Sequence, residues 1–148
     1  MFTRIYQAKS TLLSVLMVLT LLAAACSVAL AQQKPEQLAQ HSAESWLALV
    51  DSGKYADSWQ EAASLFKAHV TKDQWQSMLS ATLSPLGKNT SRKLFSAKYT
   101  KMLPGAPDGE YVVIQYQSSF EHKQSAVETI TPMLDKDGQW RVSGYFLK

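Results

Sequence analysis

The chain has 148 residues, 46% of them hydrophobic, a formal charge of +3 and a single cysteine. That length fits one domain with a real core, and one cysteine excludes an internal disulfide framework. Basic residues are spread out, with only Lys88, Arg92 and Lys93 clustering, so the electrostatic footprint of nucleic-acid binding is absent.

Residues 1–31 read as a secretory signal peptide. Arg4 and Lys9 precede an uncharged run from Ser10 to Ala31 with its apolar heart at Leu12 to Ala25, and Ala29-Leu30-Ala31 stands before Gln32. Signal peptidase accepts only small side chains at the first and third positions before the cut, which places cleavage after Ala31 and the mature terminus at Gln32. A single domain is then expected over 32–148, in the periplasm or secreted. Two other readings compete: Thr11 to Ala31 is close to the roughly 20 residues of a retained membrane anchor, and Ala23-Ala24-Ala25-Cys26 loosely resembles a bacterial lipobox that would anchor the protein through Cys26. Cleavage after Ala31 removes the only cysteine and, with Arg4 and Lys9 gone, lowers the formal charge by two, from +3 to +1. Stability must then come from packing.

The remainder divides into a helical first half and a strand-rich second half. Pro35 suits a helix start, Ala39, Ala43, Trp46, Leu47 and Val50 fall on one helical face, and Asp51-Ser52-Gly53 ends that helix with Gly53 as a left-handed cap. A second helix is expected from Tyr55 to Val70, with Trp59, Ala62, Ala63 and Phe66 in its apolar stripe. Thr71 and Gln74 have capping-box spacing and open a third helix carrying Trp75, Met78, Leu79 and Leu83, which Pro85 and Gly87 stop.

From there the period changes to alternation. The first strand, Ser91 to Met102, is expected to place Phe95, Ala97 and Tyr99 on one face and Arg92, Ser96, Lys98 and Thr100 on the other, with Leu94 breaking the pattern. Pro104 to Gly109 is a loop. Strands at Glu110–Phe120, Ser125–Leu134 and Gln139–Leu147 follow, the last pair joined by Asp135-Lys136-Asp137-Gly138, which suits a type I turn closed by a glycine with positive φ. The expected fold is α+β: three N-terminal helices packed on one face of a curved four-stranded antiparallel sheet, an arrangement shared by cystatin-like and NTF2-like cones. In the latter the space beneath the helices forms a pocket.

Register follows from the turns. A three-residue loop at Glu121, His122 and Lys123 aligns Ser118, Tyr116 and Ile114 with Ala126, Glu128 and Ile130, whereas a two-residue loop would slip the strands and expose Ile114 and Tyr116. The last hairpin is expected to set Trp140 against Leu134, Val142 against Pro132 and Phe146 against Glu128. Glu128 is the misfit on this apolar face. Its expected state is a carboxyl desolvated between Tyr116 and Phe146 and titrating above the roughly 4.3 of a free glutamate, so that Glu128→Gln is neutral or stabilising. The alternative is a wet or paired Glu128, its partner Arg92, Lys123 or His41. Glu128 with Tyr116 are the candidate catalytic pair, and Tyr55, Tyr116 and Glu128 the candidate ligand-binding set.

Other chemistry is weakly signalled. His41, His69 and His122 form no metal-binding spacing, Ser, His and Asp occur without a Gly-x-Ser-x-Gly elbow, and no Gly-rich phosphate loop is present, so neither metal nor cofactor is expected. The four tryptophans fall on inward faces. Trp59, Phe66, Trp75, Ile114 and Trp140 are expected to be buried together, with Trp140→Ala costing about 3–5 kcal/mol.

Trp46-Leu47 with Val50 to Tyr55, Ser58-Trp59, Pro85-Leu86-Gly87, Leu103 to Val113, Glu128-Thr129 and Gly138 to Tyr145 together resemble a family of small exported bacterial proteins. It is known only as a domain of unknown function, number four thousand and nineteen in its series. The Pro-Gly-x-Pro-Asp-Gly-Glu-Tyr and Trp-Arg-Val-x-Gly-Tyr segments are its specific part. The resemblance implies the compartment and the domain extent and carries no catalytic residues. The function expected is a non-catalytic exported domain that binds a small apolar ligand or an envelope protein partner and touches the membrane only through its leader, or through a lipidated Cys26. An isomerase, dehydratase or hydrolase using Glu128 with Tyr116 or Tyr55 is the alternative. A purely structural partner would use the outer face of the sheet, at Arg141, Ser143, Tyr145, Thr129 and Thr131.

Overall fold

The computed structural model describes residues 34–148, so the leader, the cleavage positions Ala29, Ala31 and Gln32, and Cys26 lie outside the described residues. Four α-helices come first: α1 (Pro35–Asp51), α2 (Tyr55–Gln60), α3 (Ser64–His69) and α4 (Lys72–Leu83), followed by a 3₁₀ turn at Ser84–Leu86. Four strands complete the domain: β1 (Asn89–Thr100), β2 (Tyr111–Phe120), β3 (Lys123–Leu134) and β4 (Trp140–Leu147), an antiparallel meander in the order β1-β2-β3-β4. Pro35–Lys148 is one compact unit. Among the described residues no helix is long and apolar enough to cross a membrane.

Local chemistry sets the helix limits. Gly53, at φ 71°, closes α1 as its N–H reaches the Val50 carbonyl at 3.0 Å while Lys54 N–H reaches Leu49 at 2.9 Å. Thr71 and Gln74 form the reciprocal capping box that opens α4. The single helix expected from Tyr55 to Val70 is instead two, broken at Glu61–Ala63. Ala63 is extended, at φ −58° and ψ 152°, because its N–H donates to the Val142 carbonyl of β4 at 2.8 Å. A continuous helix would have used that donor internally. The freed start of α3 takes an anion from another element: Asp135 accepts from Ser64 N at 2.9 Å and Ser64 Oγ at 2.6 Å. Those two bonds, hydroxyl first, hold the Asp135 carboxyl down at about 2.

α1 lies across the inner face of the sheet and touches all four strands. Between them Ala39, Ala43, Leu47, Leu79, Val112, Ile114, Ile130 and Val142 are buried. Two tryptophans fill the centre. Trp75 meets Phe66 edge-on at 5.0 Å between centroids and Trp46 at 5.8 Å, and Tyr145 packs on Trp46 at 5.6 Å. Ser58, fully buried, joins them: its carbonyl accepts from Trp46 Nε1 at 2.7 Å and its hydroxyl from Trp75 Nε1 at 3.0 Å. Trp59 and Trp140 are only partly buried and pack against this core from its margin, so the expectation that Trp140 lies at the centre is corrected in favour of Trp46.

Bulges set the register. Ser118, Tyr116 and Ile114 face Ala126, Glu128 and Ile130 as expected, yet the connection is the two-residue Glu121–His122, and a bulge at its base restores the inward alignment that this loop alone would have lost. In β1 Phe95 is the extra residue, so Arg92, Leu94, Ala97 and Tyr99 share the helix-facing side and Phe95 turns out, reversing the expected assignment of Arg92 and Phe95. In β4 the extra residue is Ser143. Beyond it Tyr145 faces Ile130 and Leu147 faces Glu128, so Phe146 does not oppose Glu128 and Tyr145 leaves the outer face.

Gly87 is the position where a glycine is most needed. At φ 72° and ψ −163° it occupies a region nearly closed to other residues, and an added Cβ would stand 2.5 Å from Glu121 Oε2 and 2.9 Å from Glu121 Cβ. Glu121 cannot simply swing away, because Oε2 accepts from Lys88 N at 2.9 Å. Gly87→Ala should therefore cost about 3 kcal/mol. Gly53→Ala, with similar φ but nothing within 4 Å of the new carbon, should cost about 1 kcal/mol. Thermal melts of the two variants compare them directly.

Candidate functional site

The candidate residues were Tyr55, Tyr116 and Glu128. The structure brings two of them together: Tyr116 and Glu128 are cross-strand neighbours on the helix-facing side of the sheet. Tyr55 stands apart at the start of α2, where it lines a 340 Å³ surface pocket with Asp51, Leu83, Gly87, Lys88 and Phe120.

Glu128 is fully buried, and its two oxygens are filled by four donors from three other strands. Arg92 Nε reaches Oε2 at 2.6 Å and Nη2 reaches Oε1 at 3.0 Å; Tyr145 Oη donates to Oε1 at 2.8 Å; and the Ser118 hydroxyl donates to Oε2. The same guanidinium closes a second fork on Asp51 at the end of α1, Nη1 to Oδ2 at 2.7 Å and Nη2 to Oδ1 at 3.0 Å. One arginine from β1 thus ties α1 to β3, with β2 and β4 each supplying a hydroxyl. A carboxylate offers about four lone-pair sites, and all are used.

Electrostatics follow this geometry. Burial alone would raise the Glu128 pKa, but the Arg92 and Ser118 hydrogen bonds, the Arg92 charge and the Tyr145 hydroxyl outweigh it and leave Glu128 below the ordinary glutamate value. The expectation of a raised pKa is corrected, because the bulges at Phe95 and Ser143 turn Arg92 and Tyr145 to the inner face, where they donate to Glu128, and Phe146 turns away from it. Burial also opposes the Arg92 charge, and Asp51 and Glu128 overcome it, so Arg92 holds its proton more tightly than usual. Tyr145 is pushed up by burial and then by Glu128.

Tyr116 has the opposite character. Among the described residues its hydroxyl is the one buried side-chain polar atom without a hydrogen-bond partner. Burial, and behind it the Glu44 charge, push it up to about 12. It donates nothing to Glu128. Five pockets lie open at the surface of the described residues, and neither Tyr116 nor Glu128 lines any of them.

The largest of these, about 650 Å³, lies between α3 and the loop before β2. Leu65 and Ala68 of α3, Pro107, Tyr111, Met133 and Leu134 give it a mainly apolar lining, and Ser64, Asp108, Asp135 and Lys136 add polar groups. The Pro104–Gly109 segment is held in place from below, since Tyr111 Oη donates to the Pro107 carbonyl at 2.7 Å and Gly109 N to Lys101 at 3.1 Å. Gly109 admits this packing: a Cβ there would stand 3.2 Å from the Tyr111 ring.

Arg92, one of the three candidate partners of Glu128, is its ion pair; sequence reasoning missed Ser118 and Tyr145 as hydroxyl donors to Glu128 and Asp51 as the second carboxylate on Arg92. Two signals marked the places: Leu94 interrupting the alternation of β1, and Gly144 inside β4, since strand glycines often accompany bulges.

Fold and site together define a small α+β domain with a packed interior, a buried ion-pair clamp and a mainly apolar groove on its surface. The family described as a protein of unknown function, DUF4019, matches residues 42–145, and the chain belongs to it. No curated protein matches the chain.

Proposed function

We propose that this is an exported, non-catalytic domain that acts by binding, with the groove between α3 and the Pro104–Gly109 loop as its site. The single observation that carries the reading is the mainly apolar lining of that 650 Å³ groove, set against a Glu128 whose every lone pair is occupied. A volume of this size suits a small molecule. The occupant is a small apolar ligand, or an apolar side chain presented by an envelope protein partner. A general base needs a lone pair facing substrate, and Glu128 has none to offer.

Two measurements test this. The mass of the exported protein should correspond to a chain beginning at Gln32; a lipid on Cys26 or an intact Met1 terminus would contradict the compartment reading. Anilinonaphthalene sulfonate should brighten on the folded protein, and Leu65→Glu should abolish this without lowering the melting temperature by more than a few degrees. Enhancement unchanged by Leu65→Glu, or none in the wild type, would remove the groove as the site.

A further inference from the structure

The edge strand β1 and its flanks carry an unusual side-chain pattern. Lys88, Arg92, Lys93, Lys98 and Lys101 occur there, and no acidic residue lies between Lys88 and Pro107. Arg92 is turned inward onto Asp51 and Glu128, while the four lysines are exposed. Interleaved with them are large apolar side chains left in water: Leu94 is 47% exposed, Phe95 77% and Met102 74%. The strip follows one edge of the sheet and a strand of 12 residues, about 40 Å of chain.

Lysines and bulges on an edge strand are ordinary protection against pairing with another chain. Three exposed apolar side chains among the lysines are not, because they recreate the stickiness such protection removes. The extra residues Thr90 and Phe95 also interrupt the outward row of backbone groups twice, so an added strand from an acidic protein would find no continuous ladder. The remaining partner that matches both features is negatively charged at its surface and apolar a few ångströms below. That is the headgroup layer of an anionic lipid bilayer.

We propose that the β1 edge is a docking strip for an anionic bilayer surface, with Lys88, Lys93, Lys98 and Lys101 against headgroup phosphates and Phe95 and Met102 seated among the upper acyl segments. Docking uses no part of the groove, and it is separate from any anchorage through the leader or Cys26.

The test uses residues 32–148, which contain the whole compact unit Pro35–Lys148 and omit the apolar leader that would itself enter lipid. Flotation is measured with vesicles of phosphatidylcholine alone and of phosphatidylcholine mixed with phosphatidylglycerol. The protein should float with the mixed vesicles only and be released by high salt. A surface lysine near an anionic leaflet is worth about fivefold in affinity, so Lys93→Gln with Lys98→Gln should weaken binding about twenty-fivefold. Phe95→Ser should weaken it too. Lys72→Gln with Lys148→Gln removes the same charge from exposed positions elsewhere and should leave binding unchanged. Equal losses in the two double variants, equal flotation with phosphatidylcholine alone, or no flotation would each overturn the proposal. So would salt-sensitive binding of polyglutamate without binding to vesicles, which would make the strip a site for acidic protein.

Discussion

Arg92→Met should destabilise the domain by about 3–5 kcal/mol, the loss expected when one partner of a buried ion pair is removed and the other is left without compensation. Glu128 would keep only the Ser118 and Tyr145 hydroxyls, in a place with no access to water. Glu128→Gln should also destabilise, contrary to the neutral or stabilising outcome expected from the sequence, because an amide cannot accept all four donors. Tyr145→Phe removes one donor and should cost about 1 kcal/mol. The pH dependence has a definite sign. A carboxylate whose folded pKa lies below its unfolded value contributes stability that is complete above the unfolded value of about 4.3 and is lost as pH falls through the folded value. Denaturation midpoints of the wild type should fall below about pH 4, and Glu128→Gln should flatten that part of the curve.

Trp75→Ala should be comparably damaging, at about 3–5 kcal/mol. Trp75 is 1% exposed, meets Phe66 and Trp46 by ring contacts and gives its N–H to Ser58, so truncation leaves a cavity, removes the one donor to the Ser58 hydroxyl and leaves two rings without their neighbour. For a domain of this size that loss is a large part of the total stability. Trp140→Ala should cost distinctly less, since Trp140 sits at the margin of the core with part of its surface already in water. Urea denaturation of the two variants ranks them; equal midpoints would place the centre of the core elsewhere.

Much of this architecture is legible in the chain because local rules are strong there. Pro35, Gly53, the Thr71–Gln74 box and the Asp135–Gly138 turn each fix a boundary by chemistry confined to a few residues, and alternating burial fixed the face of β2. The rest depended on contacts remote in sequence. Nothing near Ala63 announces that its N–H will bond to β4, so one helix was expected where two form. Alternation cannot locate a bulge by itself, and two bulges, at Phe95 and Ser143, decide which of Arg92, Phe95, Tyr145 and Phe146 face inward. Glu128 was recognisable as the anomaly of its face. Arg92 was one of its three candidate partners, but Tyr145 was not among them, because it reaches Glu128 only after Ser143 has shifted its strand by one residue. The groove was equally hidden, since α3 and the Pro104–Gly109 loop are more than thirty positions apart.

The central claim is that the buried acid of this domain is a structural anion held by four donors and that function lies on the surface. Carboxyl-carbon NMR of Glu128, followed from neutral pH downward, tests it most directly. The carboxylate should stay ionised through the ordinary glutamate range and titrate below about 4.3 or only as the protein unfolds. A Glu128 that takes up its proton above that value in the folded protein would contradict the clamp and return a buried acid–base group to the interior.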